Sequence, residues 1–405
     1  MKVQVDSQQF NEQGFLILPG VIPEDELADR RAQYENLLEK QKVVWARDRK
    51  PGDPPGGRWD YAEHPTIDIG FNPRIVDETN SKAIDVWTQD NILGTSQQLM
   101  GSSNAAPIYM QMMCSPVTDH GPGRWHRDIH PEDMAPLEAL QKDVEENGPR
   151  QVQWNIPLYY DDVLWIIPGS HSRPNTEEEN RLLAANPRQP LPGGMPVKLN
   201  AGDAVVYNNY LLHWGSNYST KLRRIVHGTF GHFTYYPDAG IGDSLSPSSR
   251  ATFRSWVNRS EQVRDATESA LRAVINRDAP GFRAAIEDLH PGAGENGKSL
   301  LTIFLSKAAN QLHLLKRPDF DTLTEQERKR AVTPHPFALC WGEDFGRRFT
   351  SEEADTIVQR FKNLDAKLQS DGEHSEPGFQ SKPMRYVFSQ MPAGADYESF
   401  IAEWA

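Results

Sequence analysis

Residues 202–217 read GDAVVYNNYLLHWGSN: a Gly-Asp turn, a β-branched and aromatic run, two asparagines, and then a histidine beside a tryptophan. Gly-Asp punctuates the chain and Ala-Val-Val-Tyr favours an extended, half-buried backbone, so the segment reads as turn, strand, turn and functional loop. The same grammar recurs on both sides of it. Runs at 108–114, 151–159, 164–167 and 225–233 are rich in β-branched and aromatic residues and bounded by Pro, Gly or Asp. Short runs so spaced over residues 107–234 predict an antiparallel β-sandwich or barrel.

Further out the period changes. Upstream, FLIL at 15–18 reads as a short strand and Pro-Gly as a turn. A helix follows, with Pro23 in its first turn, acidic residues suited to the dipole, and Leu27, Tyr34, Leu37 and Leu38 on one face. The stretch RDRKPGDPPGGR, 47–58, has no periodicity and reads as a surface loop. Two inserts interrupt the strands: 129–149 with LEALQKDVEEN, and 172–196 with TEEENRLLAAN. Inserts at the mouth of a barrel commonly shape a binding site. After about residue 237 strands become sparse. Val263, Ala266, Ala270, Leu271 and Val274 share a helical face, as do Leu300, Leu301, Phe304, Leu305, Ala308 and Leu312. Thr350 and Glu353 form a capping-box pair ahead of Ala354, Ile357, Val358, Phe361, Leu364 and Leu368.

Composition excludes several classes of function. With 43 basic against 56 acidic residues the net charge is −13, which argues against a general binder of nucleic acid or anionic membrane. No run approaches a membrane span. Cys114 and Cys340 cannot make a disulfide framework, and the first ten residues lack a signal-peptide core, so a cytoplasmic location is expected. Cys114 reads as a small buried residue, because no Cys-His-Asn signature accompanies it.

The chemistry concentrates at Trp125-His126-Arg127-Asp128. In an extended chain residues two apart share a face, so His126 and Asp128 can grip one ion while Arg127 points away. His213 is the best candidate for a third ligand. Two imidazoles and one carboxylate make the facial triad of non-haem Fe(II) oxygenases, which leaves open coordination positions that a closed zinc site lacks. An H-x-D alone is weak. Its force comes from company: LWIIPGSH at 164–171, the strand and histidine of 202–217, and Arg223 and Arg224 opening the next strand. Tyr109, Gln111 and Gln153 sit on strands that line the barrel and are candidate co-substrate contacts, although alternation alone does not assign their faces. His171 reads as a turn-holding residue, and His227 and His232 as packing or supporting groups. His120 and His130 are loop histidines, Trp125 and Trp214 are barrel packing beside the ligands, and Asn208 and Asn209 satisfy a turn.

The opening FNEQGFLILPG, the WHRD motif, LWIIPGSH and HWGSN…RR together resemble the phytanoyl-CoA dioxygenase family of Fe(II)- and 2-oxoglutarate-dependent oxygenases, over roughly residues 8–236. The resemblance implies that His126, Asp128 and His213 hold iron and that an arginine after His213 holds the distal carboxylate of 2-oxoglutarate. Counting from His213 favours Arg224 and counting from Asn217 favours Arg223, which is preferred. The chain departs from the family at Cys114, where relatives often carry a lysine nearby, and at the trimmed turn Tyr160-Asp161-Asp162. The expected fold is mainly β with helical flanks: a double-stranded β-helix, a cupin-like jelly-roll, over 1–240 and an α-helical extension over 241–405. That extension is expected to pack on the barrel, with a homodimer through its helices as the alternative. The expected activity is oxidation of a small organic molecule using Fe(II), 2-oxoglutarate and O2, with no nucleic-acid or membrane partner. Asp128 favours hydroxylation over halogenation. The rival readings are a cupin-like divalent-metal hydrolase or isomerase and a silent ligand-binding barrel.

Overall fold

The described strands are β1 (Phe15–Leu18), β2 (Thr66–Asp68), β3 (Ala106–Cys114), β4 (Gln151–Pro157), β5 (Asp161–Ile166), β6 (Met195–Leu199), β7 (Ala204–Asn208), β8 (His213–Gly215), β9 (Arg224–Gly231) and, as a separate antiparallel pair, β10 (Gln369–His374) and β11 (Met384–Tyr386). They come from a computed structural model that describes residues 5–404 apart from 71, 73, 130–134, 233–244, 326, 329–341, 376, 380–383 and 387–389. His130 and Cys340 therefore lie outside the described residues, as does the boundary expected at residue 240.

Six strands form one sheet in the order β1-β7-β4-β9-β3-β2 and three form a second in the order β6-β5-β8, with every neighbour antiparallel. Alternation divides the large sheet sharply. Met110, Met112, Cys114, Val152, Trp154, Ile156, Val206, Val226 and Phe230 face a cluster built with Tyr34, Leu37 and Leu38 of the helix Glu24–Arg47. The opposite face is polar, and register aligns it in rows. Tyr109 pairs with Thr229, Thr229 with Gln153, and Gln153 with Tyr207; one row along, Gln111 pairs with His227 and His227 with Asn155. Directly opposed residues point to the same side, so these groups share one interior. The two sheets meet there through Phe15, Val205 and Tyr207 of one and Leu164, Ile166, Val197 and Leu199 of the other.

Helices make up more of the molecule than strands do, so it is a mixed helix-and-sheet protein with antiparallel sheets rather than a mainly β one. The reason is the length of the C-terminal elements. Pro247–Asn276, Ala279–Leu289, Glu295–Lys316, Ser351–Lys367 and Tyr397–Ala402 bury their apolar faces in one cluster. That cluster is shared with the insert helix Leu137–Asn147 and with Ile129 and Tyr210 of the sheet-bearing half. Pro247–Asn276 spans both cores, since Phe253 and Trp256 pack behind the large sheet while Val263, Leu271 and Val274 pack among the helices. Thr350 caps Ser351–Lys367 in a capping box with Glu353. No described helix is long and apolar enough to cross a membrane.

Candidate metal centre

The segment 125–128 does not join a ladder. It is an extended stretch held by single bridges, in which His126 and His213 exchange both backbone hydrogen bonds, at 2.8 and 2.9 Å. The expected directions hold nonetheless. The bridge sets the two imidazoles side by side, ring centroids 4.4 Å apart, and stacks their neighbours Trp125 and Trp214 at 4.9 Å. The backbones approach so closely here that a Cβ on Gly123 would lie 1.9 Å from the Gly215 carbonyl oxygen. Only glycine fits. The Asp128 amide donates to the Asn209 carbonyl at 2.9 Å, and Asn208 ties off its own turn by accepting from the Tyr210 amide.

His126, Asp128 and His213 each turn a ligand atom to one point, all within 4.8 Å of one another. The two carboxylate oxygens of Asp128 lie 3.4 Å from His126 Nε2 and 3.4 Å from His213 Nε2. Each Nδ1 is tied to a carbonyl oxygen, His126 to Arg124 at 2.7 Å and His213 to Leu211 at 2.8 Å. An N–H donated from Nδ1 leaves the Nε2 lone pair free and aimed. Burial, together with His213 beside it, lowers the His126 pKa to about 4, so this imidazole is a neutral donor at pH 7. Burial opposes the charge on Asp128, but the two histidines and a hydrogen bond from Gln153 prevail and hold it well below the usual carboxylate range.

Behind Asp128 runs a chain of hydrogen bonds across the large sheet. Gln153 Nε2 donates to Asp128 Oδ2 at 2.7 Å and to Tyr109 Oη at 3.0 Å. Tyr109 Oη lies 3.3 Å from His227 Nε2, and His227 Nδ1 lies 2.6 Å from Asn155 Oδ1. Burial lowers His227 to about 4 and raises Tyr109, whose ionisation Asp128 opposes further. A neutral imidazole then accepts from the phenol. Tyr207 packs edge-on against His213, centroids 5.2 Å apart.

The two arginines part company. Arg223 is buried and donates from Nε to Asp161 Oδ2 at 3.0 Å, leaving its two terminal nitrogens for another partner. Arg224 turns to the other face, where Nε donates to Glu35 Oε1 of the helix Glu24–Arg47 at 2.9 Å and Nη1 donates to the Arg223 carbonyl.

The chain matches the model of the phytanoyl-CoA dioxygenase (PhyH) family over residues 10–226, more than half its length. It belongs to that family. With the triad, membership makes it a non-haem Fe(II)/2-oxoglutarate-type enzyme, whose cofactors are Fe(II), 2-oxoglutarate and O2. Solved structures resemble the chain over little more than half its length. AviO1 from Streptomyces viridochromogenes Tue57 is 18% identical, over 57% of this chain and 95% of its own, with a TM-score of 0.37. EctD from S. alaskensis with 2-oxoglutarate and 5-hydroxyectoine is 15% identical, over 56% and 75%, with a TM-score of 0.40. HygX from Streptomyces hygroscopicus with nickel and 2-oxoglutarate bound is 16% identical, over 57% and 89%, with a TM-score of 0.39. No curated protein matches the chain.

The residues fit the family's iron. Two imidazole nitrogens and one carboxylate are the donor set for non-haem Fe(II), and both second nitrogens are already fixed by carbonyls. Of the other sequence candidates, Gln153 bonds Asp128 and Tyr109 joins the chain through Gln153, while Gln111 lies opposite His227 outside the hydrogen-bond chain. His171 serves a turn, with Nε2 3.0 Å from the Asn11 carbonyl oxygen. Cys114 is buried, and burial pushes its thiol up to about 12.

Sequence reading passed over Asn155, Asp161 and a polar rim of Glu63, His64, Arg188 and Asn217. In that rim Asn217 Nδ2 lies 3.0 Å from His64 Nε2, and Glu63 pairs with Arg188 at 2.9 Å. Asn155 and Glu63 lacked any local pattern. Asp161 carried a signal as the first carboxylate of the trimmed turn, and Asn217 as the end of HWGSN.

Proposed function

We propose that this enzyme oxidises a small organic molecule, by hydroxylation in the simplest case, such as a secondary metabolite, an amino-acid derivative or an acyl compound. The observation that carries the reading is the convergence of His126, His213 and Asp128, both histidines presenting Nε2 because Nδ1 is tied to a carbonyl. Fe(II) with 2-oxoglutarate and O2 supplies an oxidant able to take hydrogen from a C–H bond, 2-oxoglutarate leaving as succinate and CO2.

The chain's own residues do the positioning. His126, Asp128 and His213 would hold the metal from one side and leave the other open. Gln153 fixes the rotation of Asp128 by donating to Oδ2, and Tyr109 and His227 fix Gln153 in turn. Arg223 would meet the distal carboxylate of 2-oxoglutarate with its two terminal nitrogens, oriented by Asp161 at Nε. The Trp125–Trp214 stack closes the back of the site to water. A carboxylate at 128 leaves no ligand position for halide, which favours hydroxylation over halogenation. In this reading the two sheets are the walls of a cupin-like jelly-roll formed by residues 1–240, and 241–405 are its helical extension.

The test is anaerobic titration of metal-free protein with Fe(II) and then 2-oxoglutarate, watching for the visible charge-transfer band of a chelated keto acid, with His126→Ala as control. A band that needs both additions and is lost in the control supports the proposal. Its absence in folded, iron-loaded protein moves the reading to a divalent-metal hydrolase or isomerase.

A further inference from the structure

The C-terminal half touches the metal centre at a specific place. The Arg127 amide, between the two ligands His126 and Asp128, donates to the Gly378 carbonyl at 2.9 Å, and Arg127 makes a parallel bridge with Phe379. Asn175 joins the same three-way junction: its Nδ2 donates to the Pro377 carbonyl at 2.9 Å, and its Oδ1 accepts from the Arg127 guanidinium at 2.9 Å. That guanidinium is fully buried and also donates to the Ser170 and Tyr210 carbonyls, Tyr210 lying three residues before His213.

Gly378 is the residue this packing demands. Its φ of +78° is left-handed, and a Cβ there would lie 3.1 Å from Leu183 and 3.4 Å from both Asn175 and Leu212. Leu212 is the neighbour of His213. Phe379 packs against the helical cluster, which also receives Ile129 and Tyr210, the residues flanking the two ligand-bearing segments. A second set of ties holds the insert that leaves the motif. Glu146 accepts from the amides of Asn296 and Gly297 at the start of Glu295–Lys316, and Glu138 accepts from the Met391 amide.

We infer that the strap Pro377–Phe379, anchored in the helical half, is a positioning element of the metal centre. It holds the 126–128 segment from the side opposite β8, so that the spacing of His126 and Asp128 depends on a region outside the family match. The inference rests on the triad being the metal site. Supporting residues around metal ligands typically change affinity by 10- to 100-fold, and the strap should act on that scale.

The experiment is an anaerobic Co(II) titration of the metal-free, full-length protein, following visible ligand-field absorption, with the melting temperature recorded in parallel. Gly378→Ala strains the strap backbone. Asn175→Asp keeps an acceptor for Arg127 but sets a carboxylate against the Pro377 carbonyl, and it carries the test alone if Gly378→Ala does not fold. Gly394→Ala imposes a comparable left-handed strain, at φ +72°, elsewhere in the helical half. Expected are a Co(II) affinity weakened at least about tenfold in the two strap variants and little changed in Gly394→Ala, whatever the melting temperatures do. Parental affinity in both strap variants, with binding abolished in His126→Ala, overturns the strap and leaves the triad standing. Equal binding by parent and His126→Ala overturns the metal reading, and the strap with it.

Discussion

Arg223 and Arg224 are adjacent and chemically identical, yet the structure separates them, and substitution should do the same. The Arg223 and Asp161 side chains are 7% and 6% exposed, so Arg223→Ala leaves a carboxylate buried without its partner. Breaking a buried pair from one side costs about 3–5 kcal/mol of stability. Arg224 pairs instead with Glu35, which is 36% exposed and free to turn to water, so Arg224→Ala should cost about 1 kcal/mol. Affinity for 2-oxoglutarate should divide more sharply. A guanidinium fork makes two charge-assisted hydrogen bonds to a carboxylate, each worth about 1.5–3 kcal/mol. At 1.4 kcal/mol per decade their loss weakens binding about 10²- to 10⁴-fold. The assay is the charge-transfer titration at saturating Fe(II), with urea unfolding for stability. The double variant Arg223→Ala/Asp161→Ala separates the two effects, because removing both charges restores much of the stability while the affinity stays lost. Equal loss of affinity in Arg224→Ala, or parental affinity in the double variant, would refute the assignment.

Asp128→Ala should abolish metal-dependent 2-oxoglutarate turnover, read as succinate release, because the one anionic donor is gone; full turnover would sink the triad. Gln153→Leu removes the N–H that orients Asp128 and should weaken metal affinity about tenfold while the protein stays folded; an unchanged Co(II) isotherm would exclude that role. Burial holds His126 and His227 near 4 against about 6.5 unfolded. A folded pKa depressed in this way means that acid protonates the unfolded chain first. Stability is therefore full above about pH 6.5 and falls toward pH 4, by about 2 kcal/mol per histidine at pH 5. Urea midpoints of the metal-free protein that stay flat from pH 7 to pH 5 would contradict this.

Legibility followed the range over which each residue's position is decided. His126 and Asp128 were readable because one extended segment fixes their mutual direction, and His213 because a turn-strand-turn pattern announces it. Tyr109 and Gln153 were readable as candidates only. Their inward face depends on how β3, β4 and β9 pair, which no short stretch of sequence states. His64 had no local mark, and Asn217, although it closes the HWGSN stretch, meets His64 only where separate loops fold together at the rim. The helix Pro247–Asn276 was visible from residue 261 onward but not before, for a related reason. Its first half places only Ser249, Phe253, Trp256 and Ser260 inward, too sparse and polar a stripe to stand out.

Arg127 shows where such reading stops. Alternation turns its side chain away from the metal, and on that basis it looks like a residue with no part in the site. Yet a guanidinium buried among carbonyl oxygens is tolerated only if its donors are satisfied, and this one is satisfied by Ser170, Asn175 and Tyr210 together. Each of those partners belongs to a different segment around the two ligand-bearing stretches. The residue that points away is therefore the one that registers those stretches against each other. Its backbone does the same for the helical half by reaching Gly378. A metal centre is a matter of distances among segments, and the residues that set those distances lie on the side of the chain that the ligands do not face.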